Sequence, residues 1–327
     1  MPLQSFIKPK THKHDYDKLF ETLGTEIIRI DIDKSLLEIA DPLKEGRLEQ
    51  RINQLRLRLT KELGYIIPDV VVKETKLGEN EFSVSIREVE VIRQTVISSD
   101  SPEEVISAHL ENSVIEYVDE ILSINDIQQY KEFVKSQNPQ IVETLVPQII
   151  ADADLRTVFA NLIRERVPVK DTVFIFERLC DYARYTKETD DLTERLRCSL
   201  GRQICSTYTT KDRTLQAITF SDGWMQTFNN SCQRTGTLTM CRLSKAKFEE
   251  LINAIVNALM NTQQRIGKLP VLLCEPNIRL LLYRMLTRHI SQLVMISFNE
   301  IPPNVNIEIA GLVHEIHPNN NINAGGE

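Results

Sequence analysis

Between Leu215 and Val313 the hydrophobic period of the chain switches repeatedly, and this restricts the possible folds more than any other feature. Leu215–Phe220 and Val271–Cys274 are short apolar runs of strand length, Val294–Ser297 is another, and Val305–Val313 alternates as a half-buried strand does. Lys245–Arg265 places Phe248, Leu251, Ile252, Ile255, Val256 and Leu259 on one helical stripe. Pro276–Ile290 opens with proline, which suits the first turn of a helix. Strand–helix–strand–helix–strand order calls for right-handed crossovers, so a mostly parallel sheet is expected. The polar stretch Ser221–Leu243, holding the only tryptophan, Trp224, reads as a long excursion from that sheet.

Upstream the pattern is different. Ile28, Ile30 and Ile32 alternate with Arg29, Asp31 and Asp33, which predicts a strand. Leu48, Ile52, Leu55, Leu59 and Leu63 form the buried stripe of a helix over about Glu45–Leu63, and Gly64 supplies its left-handed stop. Val70–Val72, Phe82/Val84/Ile86 and Val89–Val96 predict three further strands. Ser101-Pro-Glu-Glu104 is a helix start with a serine cap and a glutamate three residues on, leading to Ile106, Leu110, Val114, Val118 and Ile121 on one side. From Asn125 to Tyr208 the sequence is helical throughout, and Pro139, Pro147 and Pro168 keep its helices short.

The expected fold class is therefore α+β with several subdomains. A flexible arm (1–22) precedes a small N-terminal α/β unit with its closing helix (23–122). A helical bundle (123–210), a C-terminal α/β sheet unit (211–316) and a disordered tail (317–327) follow.

With 42% hydrophobic and 26% charged residues the chain has the make-up of an ordinary globular protein. A net charge of −7 argues against general nucleic-acid binding, which needs clustered cations to displace phosphate counterions. No apolar run reaches the roughly 18–20 residues of a membrane span, so a cytoplasmic location is expected, with any recruitment to the inner face of a membrane left to a partner. Cys180, Cys198, Cys205, Cys232, Cys241 and Cys274 form no C-x-x-C pair and are expected as reduced thiols packed among apolar neighbours.

Catalytic signatures are missing from the sequence. There is no G-x-G-x-x-G, Walker, H-E-x-x-H or G-x-S-x-G motif, and no catalytic, cofactor-binding or metal-binding residue is assigned. Cys274 with His289 is a pairing that only geometry can test. The charges Arg164, Arg166, Lys170 and Asp171 flank the Val167-Pro168 break. They read either as a solvated loop with helix-end charge complementarity or as a subunit contact.

Several weak segments, in order, resemble one family. They include Leu63-Gly-Tyr-Ile-Ile-Pro68, Glu81-Phe-Ser-Val-Ser-Ile-Arg-Glu-Val-Glu-Val91, Val105-Ile-Ser-Ala-His-Leu110, Leu145-Val-Pro147 and Val167-Pro-Val-Lys-Asp171. Gly201-Arg-Gln-Ile-Cys205 with Tyr208, Pro270-Val-Leu-Leu-Cys-Glu-Pro-Asn-Ile-Arg279 and Leu293-Val-Met-Ile-Ser-Phe-Asn-Glu-Ile-Pro-Pro303 continue the series. Together they resemble the cytosolic part of the FHIPEP family, the export-gate protein of flagellar and virulence type III secretion.

The resemblance implies a non-enzymatic docking platform for exported proteins, needing no cofactor. Its partners would be other export-apparatus proteins and exported substrates or their chaperones, with weak ring-type self-association through Arg164, Arg166, Lys170 and Asp171. Phe82, Ala108 and His109 are the expected protein-binding residues. The chain departs from the pattern where Val91 runs through Asp100 straight into the helix at Ser101, because the family carries a further small subdomain there that forms part of its chaperone groove. Ala108 stands where the family has a hydroxyl residue, and Glu88 where it commonly has glycine. The alternative is a free-standing adaptor that keeps the fold outside secretion.

Overall fold

A computed structural model describes residues 24–40, 46–97, 100–235, 238–290 and 293–315. The expected N-terminal arm and C-terminal tail lie outside the described residues. The described residues fall into two compact units, one within residues 1–61 and 65–123 and the other within 62–64 and 124–327.

The first unit is built on a four-stranded mixed sheet, β1 (Ile28–Ile32), β2 (Val70–Glu74), β3 (Glu81–Ile86) and β4 (Val89–Thr95), in the order β2-β1-β3-β4. Strand β1 runs parallel to β2 and antiparallel to β3. Register explains the core: Ile28, Ile30 and Ile32 stand opposite Ile86, Val84 and Phe82, so six large side chains share one buried face. Helix α1 (Arg47–Leu63) buries Leu48, Ile52, Leu55 and Leu59 at the spacing its sequence stripe predicts. Helix α2 (Pro102–Glu116) packs on β3 and β4 through Ile106, Leu110 and Val114. Ser101 sits at its N-cap position and Pro102 in its first turn, but the serine hydroxyl makes no capping bond. The helix expected to reach Ile121 breaks at Tyr117 into a separate turn, α3 (Val118–Ile121), and no glycine or proline announces that break.

The second unit holds helices α4 (Ile124–Gln137), α5 (Pro139–Leu145), α6 (Asp152–Arg164), α7 (Thr172–Tyr182), α8 (Thr189–Ser199) and α9 (Gly201–Tyr208). Helix α9 leads into β5 (Thr214–Phe220). This strand pairs with β10 (Asn306–Val313) on one side and β8 (Val271–Cys274) on the other, and β9 (Met295–Ser297) completes the order β10-β5-β8-β9. All three pairings are parallel, as the alternating pattern predicts. Helices α11 (Lys245–Ile266) and α12 (Pro276–Leu286) make the crossovers; Leu251, Ile255 and Leu259 of the first and Leu282 and Leu286 of the second enter one apolar core.

The stretch expected as a polar excursion belongs to this core. Ser221 caps α10 (Asp222–Ser231), accepting the Trp224 N–H at 3.4 Å. Trp224 and Phe228, one helical turn apart, stack with centroids 5.8 Å apart and are fully buried. Two aromatic residues among polar neighbours are a thin signal, and only the helix period puts them on one face. A hairpin follows, β6 (Cys232–Thr235) with β7 (Leu238–Cys241), and it joins Cys232 to Cys241 in a disulfide. Reduced thiols were expected at both positions. Their separation of nine residues conceals a hairpin register that sets them opposite one another.

Among the described residues, no helix is long and apolar enough to cross a membrane.

Candidate functional site

Of the expected protein-binding residues, Phe82 is completely buried under α2, Ala108 is exposed on that helix, and His109 is half-buried. The His109 ring packs on Phe82 with centroids 5.7 Å apart and planes tilted by 53°. A partner could therefore touch Ala108 and His109 directly, with Phe82 acting as the support beneath. The neighbouring hairpin turn is built from Arg87 and Glu88, both in the left-handed region at φ 48° and 68°. That geometry suits a two-residue turn that favours glycine or asparagine. Arg87 is compensated, since its Nε donates to the Glu120 carbonyl at 2.6 Å. Glu90 is paired with Arg93 at 2.6 Å, and this hydrogen bond holds its carboxyl below the usual range. Val89, next to this turn, is exposed, as is Ile97 beyond the far end of β4.

The four expected subunit-contact charges have local structural roles as well. Helix α6 ends in a turn where Arg166 N–H bonds the Ile163 carbonyl and Val167 N–H bonds the Leu162 carbonyl, with Arg166 left-handed at φ 54°. Val167 closes this end as a buried apolar residue. The Asp171 carboxylate caps α7 by accepting from the Phe174 N–H at 3.3 Å. Arg164 donates to the Asn161 side-chain oxygen at 3.2 Å, and its carbonyl accepts from the Tyr283 hydroxyl at 3.2 Å. Arg166 and Lys170 are exposed.

Between Arg164 and Arg166 lies the residue that sequence reasoning missed. Glu165 points into the second unit and meets Arg279 Nη1 at 2.5 Å and Arg197 Nη1 at 3.0 Å. Arg279 also binds both carboxylate oxygens of Glu194, and its Nε lies 3.6 Å from Glu300. Arg197 Nη2 donates to Glu300 at 2.7 Å and to the Met295 carbonyl at 3.1 Å. The side chains of Arg279, Glu300, Arg197 and Glu165 are 0–5% exposed, while Glu194 keeps 26%. The Arg197 Nη1–Glu165 approach is an ion pair without hydrogen-bond alignment, and Arg197 Nε has no acceptor.

The electrostatics follow from burial opposed by charge. Burial works against ionising Glu165, but Arg197 and Arg279 outweigh it and hold the carboxyl below its usual range. At Glu194 burial prevails over the bond from Arg279, and the carboxyl is raised. Arg279 is raised well above its usual value, because Glu165 and Glu194 overcome the burial that disfavours its charge. Two arginines thus face three glutamates, so each cation is shared between carboxylates. This arrangement ties α6 and α8 to α12 and to the turn Phe298–Glu300.

Segments singled out in the sequence converge here. Gly201 has no room for a side chain, since a Cβ would overlap the Glu300 carbonyl oxygen. The Cys205 thiol donates to the same oxygen at 3.9 Å. Ser297 and Glu300 close a reciprocal capping box, with the Ser297 N–H and hydroxyl both donating to Glu300 Oε1 at 3.1 and 2.5 Å. The signals available in the sequence were Arg279 and Glu300 inside two of the segments, and Glu165 between the charges Arg164 and Arg166. Beside the network, Tyr182, Asp191, Glu194, Arg195, Cys198 and Asn299 line an open cavity of about 400 Å³.

The pairing of Cys274 with His289 does not form: Cys274 donates to the Ile296 carbonyl and His289 packs on Phe248. Burial pushes the Cys198 and Cys205 thiols up to about 11 and raises Cys274 further. Among the described residues no group of His, Cys, Asp and Glu is arranged to hold a metal ion.

The chain matches the model of the FHIPEP family over residues 4–101 and 97–306. It is 24% identical to the flagellar biosynthesis protein FlhA of Bacillus subtilis over 344 aligned positions, which take in 91% of this chain and 51% of that protein. The chain thus spans about half the length of the relatives it matches. The Chlamydia pneumoniae CdsV protein, solved in complex with CdsO, superposes with a TM-score of 0.77 at 19% identity, covering 89% of this chain and 98% of that one. Nonameric SctV-C from EPEC superposes with a TM-score of 0.72 at 17% identity, covering 89% and 99%. At these identities the superpositions establish the fold.

Proposed function

This chain belongs to the FHIPEP family, and we propose that it works as a protein-binding platform of a type III or flagellar export gate, recognising proteins rather than transforming them. The family match running through residues 4–306 carries this reading. The buried charge network supports it, because charges committed to holding helices against a sheet make a rigid scaffold. Its partners are other components of the export apparatus, and its working place is the cytoplasmic face of the membrane.

Ring contacts use head-to-tail surfaces, and the exposed Arg166 and Lys170 at the α6–α7 turn are the candidates on this chain. The nonameric state of SctV-C makes such a ring a reasonable assembly for this chain too. Exposed ion pairs contribute only about 0–1 kcal/mol each, against the roughly 4–15 kcal/mol of lost rigid-body freedom. The ring therefore needs a high local concentration.

Chaperone docking is a different matter. The two family matches overlap at residues 97–101, the place where the sequence runs from Val91 straight into the helix at Ser101, and this supports the reading that an inserted subdomain is lacking there. The alignment with the Bacillus subtilis relative also runs over more positions than the 91% of this chain that it uses, so that relative carries residues without a counterpart here. The chain accordingly does not bind chaperone–substrate complexes at Ala108 and His109 in the manner of its family.

Removing residues 24–315 in frame from the gene, then assaying motility and effector secretion, tests the main reading. Loss of either supports it, and unchanged secretion together with unchanged motility overturns it. Calorimetric titration with a flagellar-type chaperone–substrate complex tests the second point. Micromolar binding that is abolished by changing Ala108 would contradict it.

A further inference from the structure

We propose that Cys232 and Cys241 form a reversible redox site, a dithiol that small-molecule disulfides of the glutathione type convert to a cystine, and that this conversion sets the order of the β6–β7 arm. The register of the hairpin places the two residues directly opposite one another. One step further out, the Arg242 N–H donates to the Ser231 carbonyl at 2.9 Å. Cys232 and Cys241 therefore occupy the adjoining pair that exchanges no backbone bonds, the kind of pair in which opposite side chains approach most closely.

Among the described strands, this pair has no sheet neighbour to hold it, so such a link matters to it. It is a sheet of two strands, four residues each, joined to neither four-stranded sheet. Isolated two-stranded hairpins are marginal in water. Cys232 follows α10 directly and packs partly against the C-terminal core, and β7 lies against α12. A covalent closure between residues nine apart thus anchors the arm at its base. Closing a loop of this size raises the ratio of ordered to disordered arm on the order of tenfold or more.

The chemistry is balanced by exchange. One protein thiolate attacks a sulfur of glutathione disulfide, forming a mixed disulfide and expelling one glutathione thiolate. The second protein thiolate then attacks the protein sulfur of that mixed disulfide and expels the other. Two protein thiols are oxidised, one small disulfide is reduced, and two glutathiones leave with the protons. The remaining cysteines are poor competitors. Cys180, Cys198, Cys205 and Cys274 lie on separate elements, and burial raises every one of their thiols, so little thiolate exists at neutral pH.

The test equilibrates the full chain, without oxygen, in glutathione buffers from fully reduced to fully oxidised, followed by acid quench, alkylation and peptide mass mapping. Cys232 and Cys241 are expected to leave the alkylated pool together, while the other four still alkylate after unfolding. Amide hydrogen exchange on the same samples should slow in β6 and β7 by about tenfold on oxidation. The proposal is overturned if the pair stays reduced at every ratio, if another cysteine oxidises first, or if exchange slows less than threefold. Cys241→Ser should keep the fast exchange under oxidising buffer; slow exchange in that variant also overturns it. The wild-type series decides the matter even if that variant folds poorly.

Discussion

Replacing Arg279 by methionine removes the cation that three carboxylates share, and the structure allows the consequence to be worked out. Arg279 is fully buried, 2.5 Å from Glu165, bidentate on Glu194 and 3.6 Å from Glu300. A unit-charge pair about 4 Å apart at an effective dielectric near 20 is worth about 4 kcal/mol before desolvation is counted. Stripping one partner from a buried pair costs about 3–5 kcal/mol, because the stranded charge stays buried. For a unit of this size about 1 kcal/mol shifts Tm by about 2–4 °C, so Arg279→Met should melt roughly 6–20 °C lower at pH 7.5. In the native protein Glu165 is held below its usual range, so its share of stability is present above its unfolded pKa and is lost as pH falls through its folded pKa. Without Arg279, burial is opposed by Arg197 and only weakly by Arg284, and the carboxyl rises. A raised carboxyl contributes stability that is complete at acid pH and lost as pH rises through its folded pKa. The deficit of the variant must therefore shrink between pH 7.5 and pH 5. Adding Glu165→Gln to Arg279→Met should restore part of the loss at pH 7.5, since no stranded charge remains at that position. Thermal melts followed by circular dichroism at both pH values are the assay. A Tm loss under 2 °C, a deficit that grows toward pH 5, or a double variant less stable than the single one would refute the reasoning.

Gly201→Ala forces a methyl group into the Glu300 carbonyl, which should destabilise the chain by about 1–3 kcal/mol in a urea melt; an unchanged midpoint would mean that the contact yields freely. Glu88→Gly relieves a left-handed residue that no hydrogen bond of its own is seen to offset, so it should gain about 0.5–1 kcal/mol, and any loss on denaturant titration counts against the turn assignment. Arg87→Gly should gain less or lose, because it gives up the bond to Glu120. Static light scattering at micromolar concentration should report a monomer, and a stable high-order oligomer there would show that the soluble contacts are stronger than exposed charges allow.

Periodicity alone was enough to read the isoleucine strand Ile28–Ile32, the leucine stripe of α1 and the parallel C-terminal sheet. In each of these the apolar residues either recur at the period of the element or, as in β8 and β9, run unbroken through a strand buried on both faces, and that pattern is local to a single element. The order of weak segments likewise suffices to point to the FHIPEP family. What escaped the sequence depends on which distant residues meet. Trp224 looked like part of a polar loop because only the helix turn joining it to Phe228 shows its buried side. Cys232 and Cys241 looked independent because strand register is set by a turn between them. Phe82 was expected at a surface, yet α2 covers it and leaves Ala108 and His109 to face outward. Above all, Glu165, Glu194, Arg197, Arg279 and Glu300 come from four separate elements, Glu194 and Arg197 sharing α8, and in the sequence each is one charge among many. Burial makes each of them dependent on the others, and burial is a property of the packed fold that no single segment encodes.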